Sequence, residues 1–172
     1  MKSTYLTCCF LIVFTGFSSW SFPTNAEQLN LGASRVPFTT ISRGLYCGHT
    51  DTADSVITNQ EDWANLWQQI NPSDEGDADP EVKIPLPPPE VDFTRYTVIA
   101  VFMGEQPTDG HSITVFKVKE VGSALKVFVK SASADSSCQI AQVKTQPYHI
   151  VEIDKTEKEV RFNVRQVTEP CE

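Results

Sequence analysis

The stretch from Val91 to Val118 constrains the fold of this chain more than any other part of the sequence. Within it, residues 96–103 are uncharged and apolar at nearly every position. Such a run is typical of a strand that is covered on both faces. A loop rich in Gly, Pro and Asp follows, and the sequence then resumes as an alternating strand from Ser112 to Lys119. The stretch therefore predicts a buried central strand in a β-rich fold.

Short segments of β-type pattern occupy much of the remaining chain. We expect strands over Val36–Cys47 with an interruption at Gly44, Ser55–Thr58, a segment through Leu125, Val127 and Val129, Tyr148–Ile153 and Glu159–Val167, and Cys138–Val143 is a further candidate strand. The part from Arg95 onward has the pattern of a β-meander, with the last two strands as a hairpin. In the last strand Val160, Phe162 and Val164 are expected to face inward. About seven strands separated by turn signals predict a mainly β fold, an antiparallel β-sandwich or partly open barrel.

One short amphipathic helix is predicted between the second and third strands. Thr58 and Glu61 fit the two positions of a capping box, and Asn71-Pro72 ends the segment. The helix has one apolar stripe, formed by Trp63, Leu66, Trp67 and Ile70. This spacing favours packing of both tryptophans in the core over stacking on a ligand.

Residues 1–26 have the pattern of a secretory signal peptide, with Lys2 ahead of an apolar run from Leu6 to Phe17. The signal predicts export to a periplasmic or extracellular compartment. We expect a flexible lead-in over residues 27–35, a single domain over 36–168 and a tail over 169–172. An acidic and proline-rich loop over 71–90 interrupts the domain. No membrane insertion is expected after cleavage of the signal peptide.

The chain is acidic, with a formal net charge of −8. Removal of the signal peptide takes away Lys2 and no acid, so the exported domain is more acidic still. An acidic domain repels phosphate backbones and anionic lipid surfaces. Nucleic acid is therefore not expected as a partner.

Three cysteines remain after the signal peptide: Cys47, Cys138 and Cys171. An oxidising compartment favours one disulfide and leaves one thiol unpaired. The first choice is a bond between Cys47 and Cys138, because both lie within predicted structure. A bond between Cys138 and Cys171 is the alternative.

Motifs for catalysis are missing from the sequence. It lacks the G-x-S-x-G nucleophile turn, a Cys/His catalytic signature and the H-E-x-x-H zinc motif. The closely spaced Cys47 and His49 have no second pair to complete a metal site. His149 alternates with apolar residues, which favours a hydrogen-bonded strand histidine. We therefore expect a non-enzymatic domain without catalytic residues, metal or cofactor.

The loop from Gly104 to His111 is the strongest candidate for a functional segment. It is longer than the two-residue turn that a hairpin needs, and loops on rigid β scaffolds frequently carry binding sites. Pro107, Asp109 and Gly110 are also ordinary turn residues, so a plain connecting loop explains the same pattern. The candidate protein-binding residues are Pro107, Thr108, Asp109, Gly110 and His111.

Several clusters of the sequence, in this order and spacing, resemble the PrcB family, in particular its C-terminal domain. They are Val56-Ile57, Glu61-Asp62-Trp63 with Leu66-Trp67, Val91-Asp92-Phe93, residues 98–104, residues 107–113 and residues 145–151. The resemblance extends over about Phe38 to Val164. The family typically carries Thr-Gly-Gly-Tyr in the loop, and here Asp109 and His111 occupy the second and last of these places.

The PrcB resemblance implies a role in assembling or stabilising a protease. The chain is accordingly expected to be an accessory domain that binds a protein partner, such as a protease or another envelope protein. A second resemblance implies a different role. The Pro-Thr-x-Gly pattern is similar to the loop that chagasin-type inhibitors insert into cysteine-protease clefts, with His111 at their aromatic position. The alternative function is therefore direct inhibition of a protease through Pro107–His111.

Overall fold

The computed structural model describes residues 33–71 and 87–171. Its strands and helix, in chain order, are β1 (Ser34–Val36), β2 (Thr39–Gly44), β3 (Thr52–Ile57), α1 (Gln60–Ile70), β4 (Tyr96–Met103), β5 (His111–Val121), β6 (Ala124–Ala134), β7 (Tyr148–Asp154) and β8 (Glu159–Glu169). The predicted signal peptide and most of the acidic, proline-rich loop lie outside the described residues. Within the described ranges, no helix is both long and apolar enough to span a membrane.

The strands form two four-stranded sheets. The first sheet has the order β1-β5-β6-β8, and the second has the order β2-β7-β4-β3. Neither described sheet closes on itself, and their inner faces share one apolar core, so the architecture is a β-sandwich. The predicted mainly β fold with one short helix is confirmed. The structure has eight strands, where the sequence pattern indicated about seven.

Strand β4 is the buried strand that its composition predicts. Its side chains from Thr97 to Phe102 are all buried. Ile99 and Val101 face the first sheet, whereas Val98, Ala100 and Phe102 pack against α1. Since both faces of β4 are covered, charged side chains have no access to water there, which explains the uncharged run.

Helix α1 covers the outer face of the second sheet. Trp63, Leu66 and Ile70 are buried, and Trp67 is partly buried against the same cluster. The indole Nε1 of Trp63 donates a hydrogen bond to the Pro89 carbonyl at 2.9 Å. The predicted apolar stripe is confirmed.

The predicted capping residue of α1 is wrong by one position. Asn59, not Thr58, is the N-cap, and its side-chain oxygen accepts from the Asp62 amide at 2.9 Å. The Asn59 amide group also donates to the Asp62 carboxylate at 2.7 Å. The helix therefore begins at Gln60, and this shift gives the N3 position to Asp62 instead of Glu61.

The predicted connections between strands are wrong in two places. Strands β4 and β5 do not form a hairpin, because β4 pairs with β3 and β7 while β5 lies in the other sheet. Strands β7 and β8 do not form a hairpin either. β8 pairs with β6, in parallel, over its whole length. Alternation of side chains predicts that a segment is a strand, but it does not select the pairing partner.

Three local predictions also change. Val36–Cys47 forms two strands, β1 and β2, in different sheets. Cys138–Val143 is not a strand. Val164 keeps 53% of its surface exposed because it lies on β8, at the open edge of the first sheet. Gly44, where the predicted strand is interrupted, lies close to Tyr148: an added Cβ would be 3.0 Å from the Tyr148 ring. The register shift of β2 lies elsewhere, between Thr40 and Ser42.

The disulfide joins Cys138 to Cys171, with their Cα atoms 5.3 Å apart, so the first-choice pairing of Cys47 with Cys138 is wrong. Cys47 is free. The reason is the parallel pairing of β6 with β8. Both strands end at the same end of the sheet, at Ala134 and Glu169, and the cysteines that follow them become neighbours.

Candidate protein-binding surface around the β4–β5 loop

The loop over residues 104–110 carries the chain from the second sheet to the first. It begins at Gly104, which has φ +75° and leaves no space for a side chain. A Cβ there would lie 2.9 Å from both the Thr50 carbonyl oxygen and the Thr52 amide nitrogen. The next amide, that of Glu105, donates to the Thr50 carbonyl at 2.8 Å. The start of the loop is thus pressed against the segment that leads into β3.

Thr145 holds the middle of the loop. Its backbone exchanges two hydrogen bonds with Gln106, at 2.7 and 3.0 Å. Its hydroxyl donates to the Thr108 carbonyl at 2.7 Å, and the Thr145 side chain is completely buried. A fully buried hydroxyl with a partner is a stable anchor, because breaking this bond would leave polar atoms unsatisfied.

The end of the loop is attached to two further segments. The Asp109 carboxylate accepts from the Ala141 amide at 2.9 Å, and the Gly110 carbonyl accepts from the Ala134 amide at 2.7 Å. Neither Asp109 nor Gly110 has a positive φ, so this turn does not use left-handed geometry. Gly110 is needed for space instead, since a Cβ would lie 2.9 Å from the Ile140 side chain.

The five predicted binding residues differ in their access to a partner. Pro107 and Asp109 are exposed, Gly110 and His111 are half-buried, and Thr108 is only 7% exposed. The Thr108 hydroxyl makes no hydrogen bond with the described residues. His111 Nδ1 lies 3.1 Å from the Ser133 hydroxyl. A partner that approaches this loop would therefore contact Pro107 and Asp109 first.

A groove of about 900 Å³ lies beside the loop. One wall contains Asp109, Gly110 and His111, and the other contains residues 137–139 and 170–171. The Cys138–Cys171 disulfide is part of that second wall. We use the name loop surface for Pro107, Asp109 and the residues that line this groove. Its geometry, an exposed loop tip next to a covalently held wall, suits recognition.

His149 is a structural residue of the sandwich core. It is 2% exposed and lies on β7, yet its Nδ1 accepts a hydrogen bond from the Val115 amide of β5, in the other sheet, at 2.9 Å. The Nε2 lies 2.9 Å from the Thr40 hydroxyl. Because Nδ1 accepts, Nε2 carries the proton of the neutral ring. Burial, and secondarily the positive charge of Arg43, lower the pKa of His149.

Cys47 and His49 do not act as a pair. The Cys47 thiol donates to the Gln146 carbonyl at 3.3 Å, and burial raises its pKa. The His49 ring stacks on Phe102, with ring centroids 4.5 Å apart. Across residues 33–71 and 87–171, no three His, Cys, Asp or Glu side chains come together in an arrangement that could hold a metal ion.

No local pattern of the sequence predicts which residues support the loop. Residues 138–143 are expected from their pattern to form a strand, and the pattern assigns no role to Thr145. A signal was present, however. Thr145 is the first residue of one cluster that carries the PrcB resemblance, residues 145–151, and it forms hydrogen bonds with Gln106 and Thr108 of the loop.

Comparison with known proteins gives one match. Residues 97–154 match a family model described as PrcB C-terminal. No curated protein and no solved structure matches the chain. The matched segment runs from β4 to the end of β7 and contains the whole 104–110 loop together with Thr145. The resemblance to the PrcB C-terminal family is thereby confirmed over residues 97–154, the segment that builds the central strand, the loop and its anchor.

Proposed function

We propose that this chain is an exported, non-enzymatic accessory domain that binds a protein partner in a protease complex through the loop surface. The observation that carries the proposal is the anchoring of the 104–110 loop by Thr145 and Ala141. A loop held at both ends loses little conformational entropy when it binds, so its exposed residues are preorganised for recognition. The family match adds an association with a protease complex.

Direct inhibition by insertion of the loop into a protease cleft is the second candidate. Such insertion requires loop side chains that project into the cleft. Thr108 is buried and its carbonyl is bonded to Thr145, so the central part of the motif is turned into this domain. This geometry favours contact with a partner across the surface of the loop and disfavours insertion of the loop into a cleft.

The loop surface can be tested by site-specific photocrosslinking. A photoreactive residue at Pro107 should crosslink a co-expressed envelope protease partner, whereas the same residue at Glu157, on the exposed β7–β8 connection, should not. Pro107→Arg should reduce recovery of the partner at least tenfold without changing the unfolding midpoint, because the side chain is exposed. Equal crosslinking from both positions, or unchanged recovery with Pro107→Arg, would reject the loop surface.

An inhibition assay separates the two candidates. The accessory proposal predicts full activity of a papain-like protease at a stoichiometric concentration of this domain, and stoichiometric loss of activity would favour the inhibitor. Gly110→Ala is not a clean test of either, since the new methyl group would meet Ile140 and Ala134 and displace the supporting segment. Pro107 is the better position.

A further inference from the structure

A row of basic side chains crosses the outer face of the first sheet. Arg35 is in register with Lys119, Lys119 with Lys126, and Lys126 with Arg161, so the row includes one residue from each of the four strands. Residues in register point to the same side of a sheet. Strands lie about 4.8 Å apart, which gives the row a width of about 14 Å. The row points away from the core because the adjacent Val118 and Val127 are buried inside.

A register shift in β5 places two aromatic side chains, Phe116 and Phe128, side by side on the same face. The shift lies between Val115 and Lys117, and in a bulge two consecutive residues face one residue of the neighbouring strand. Phe116 and Lys117 accordingly both lie next to Phe128. The two rings are 6.3 Å apart, and the Lys117 ammonium lies 4.7 Å from the centre of the Phe128 ring. Phe116 is 43% exposed.

Seven of the 12 basic residues that the structure describes lie on this one face. We call it the basic face; its residues are Arg35, Lys117, Lys119, Lys126, Lys130, Arg161 and Arg165. Glu159 pairs with Arg161, and Glu169 pairs with Lys130. The others form no ion pair with any described residue, so the face carries a positive charge that the rest of the domain does not neutralise.

The net negative charge of the chain does not cancel this local field. Salt screens interactions between exposed charges beyond about 8 Å at physiological ionic strength. Glu61 and Asp62 lie on α1, which covers the outer face of the second sheet, so the whole sandwich separates them from the basic face. A partner in contact with the basic face is therefore screened from the charges of these two acids.

We propose that the basic face binds peripherally to an anionic lipid surface through acidic phospholipid headgroups. The cations lie on four neighbouring strands of one sheet, and a bilayer is a planar partner that can meet all of them at once. An extended acidic peptide that crosses the strands repeats its side chains on one side every 6.6–6.8 Å or so, which does not match cations about 4.8 Å apart, and one that runs along the strands meets only the cations of the strands beneath it. Fluid headgroups impose no fixed spacing. Phe116 can insert at the headgroup level, between the cations, as aromatic residues do at membrane interfaces.

This inference goes beyond the proposed function, and it uses different residues. The pair Lys119–Lys126 lies seven residue pairs along the β5–β6 ladder from the pair His111–Ser133, which is roughly 23 Å at the rise of a strand. Membrane association and partner binding can therefore be disrupted separately.

Vesicle co-sedimentation of the exported chain tests the proposal. The probes are vesicles of phosphatidylcholine alone and of phosphatidylcholine with phosphatidylglycerol in equal parts. We expect binding to the anionic vesicles only, with a strong decrease at high salt. Lys119→Glu combined with Lys126→Glu should lower the partition coefficient at least tenfold. Both side chains lie on the outside of the sheet without an ion pair, so the variant should fold.

The matched control carries the same charge change elsewhere. Arg95→Glu combined with Lys155→Glu alters two exposed residues beside the second sheet and should leave vesicle binding within about twofold of wild type, since neither residue lies on the basic face. An equal loss in both double variants would show that net charge alone is responsible and would reject the basic face. Binding that is equal for both vesicle types would reject it as well.

A measurement on the unaltered protein makes the test independent of variant folding. Anionic vesicles should protect Lys119 and Lys126 from amine-modifying reagents, as read by mass spectrometry, while Lys155 stays reactive. Poly-glutamate provides the last comparison. If it binds the protein and protects the same lysines while the vesicles do not, the partner of this face is an acidic polypeptide and the lipid proposal is wrong.

Discussion

Gly104 connects the central strand to the loop in a conformation that other residues rarely adopt. It has φ +75°, and the backbone atoms of Thr50 and Thr52 lie where a Cβ would be. Two independent costs would therefore accompany any side chain at this position: the left-handed backbone and the displacement of neighbouring backbone atoms.

We predict that Gly104→Ala lowers the free energy of unfolding by more than the roughly 1–2 kcal/mol that left-handed geometry alone costs. Gly122→Ala is the matched control. Gly122 has a similar φ of +60°, but nothing lies within 4 Å of an added Cβ, so only the backbone cost applies. Urea unfolding of both variants measures the difference. Equal losses would mean that contact with Thr50 and Thr52 contributes nothing.

His149 makes the stability of the domain dependent on pH. Its pKa in the folded protein lies below the ordinary value of 6.5, because burial disfavours the charged ring. Between about pH 6.5 and the lowered pKa of the folded protein, the unfolded chain therefore binds more protons than the folded one. The contribution of His149 to stability is full above about pH 6.5 and decreases as the pH falls toward the lowered pKa.

We expect His149→Gln to reduce this pH dependence, as measured by the urea midpoint between pH 7.5 and about 5. His111→Gln is the control, since His111 is only half-buried and makes no contact across the core. The carboxylates are common to all three proteins, so their contribution cancels in the comparison. An unchanged slope in His149→Gln would contradict the assignment of the buried ring as the titrating group.

At the scale of single elements, α1 shows how one residue defines a boundary. The amide of Asp62 points at Asn59, so the cap lies one residue later than the Thr58 capping box indicates. Thr58 and Asn59 are both good capping residues, and both have an acidic residue three positions later. The sequence alone could not separate these two registers.

Asn59→Ala should lower the free energy of unfolding by about 0.5–2 kcal/mol, because the Asp62 amide loses its acceptor. Thr58→Ala should change it by less than about 0.5 kcal/mol, since Thr58 is exposed and does not cap. The two variants differ by one position, which makes the pair a direct test of the register. A larger effect of Thr58→Ala would restore the first assignment.

The two tryptophans of α1 are expected to differ. Trp63 is fully buried with its indole bonded to Pro89, so Trp63→Ala should cost about 3–5 kcal/mol. Trp67 is only partly buried, and Trp67→Ala should cost less. The helical spacing predicts that both pack in the core and does not distinguish them. Chemical denaturation of the two variants measures the loss of unfolding free energy in each. Equal losses would contradict the difference in burial.

At the scale of the whole molecule, the disulfide joins the two chain segments that follow β6 and β8, neighbouring strands of the first sheet. Cys138 and Cys171 are 33 residues apart, and a covalent link over such a distance restricts the unfolded chain. It also holds one wall of the loop surface. Stability and the proposed site are therefore connected through this bond.

Cys171→Ser should lower the free energy of unfolding by up to about 3–4 kcal/mol, the loop-closure value for this separation. The protein expressed without residues 1–26, unfolded without reduction, should titrate one thiol, that of Cys47, and none after Cys47→Ala. Three thiols in the unreduced protein would show that the bond does not form. Cys47→Ala should change stability less than Cys171→Ser does, since it removes no covalent link.

Much of the fold could be predicted because short-range patterns reflect local burial. The uncharged residues of β4, the stripe of α1 and the alternation in β5 to β8 each identified an element. The candidate site was predicted less completely. Pro107 to His111 were recognised from turn residues, but their support by Ala141 and Thr145 depends on contacts more than thirty positions away. No periodicity in the sequence encodes such a contact.

Side-chain spacing in the sequence identified most of the segments that become strands, and the helix, because burial selects that spacing locally. The order of residue clusters identified the family to which residues 97–154 are related. The partner of each strand was known only from the tertiary structure, and three features depend on it. Parallel pairing of β6 with β8 brings Cys138 to Cys171, crossing between sheets buries Thr108 beside Thr145, and register across four strands aligns Arg35, Lys119, Lys126 and Arg161. Pairing is a long-range choice, and it depends on the packing of the whole core.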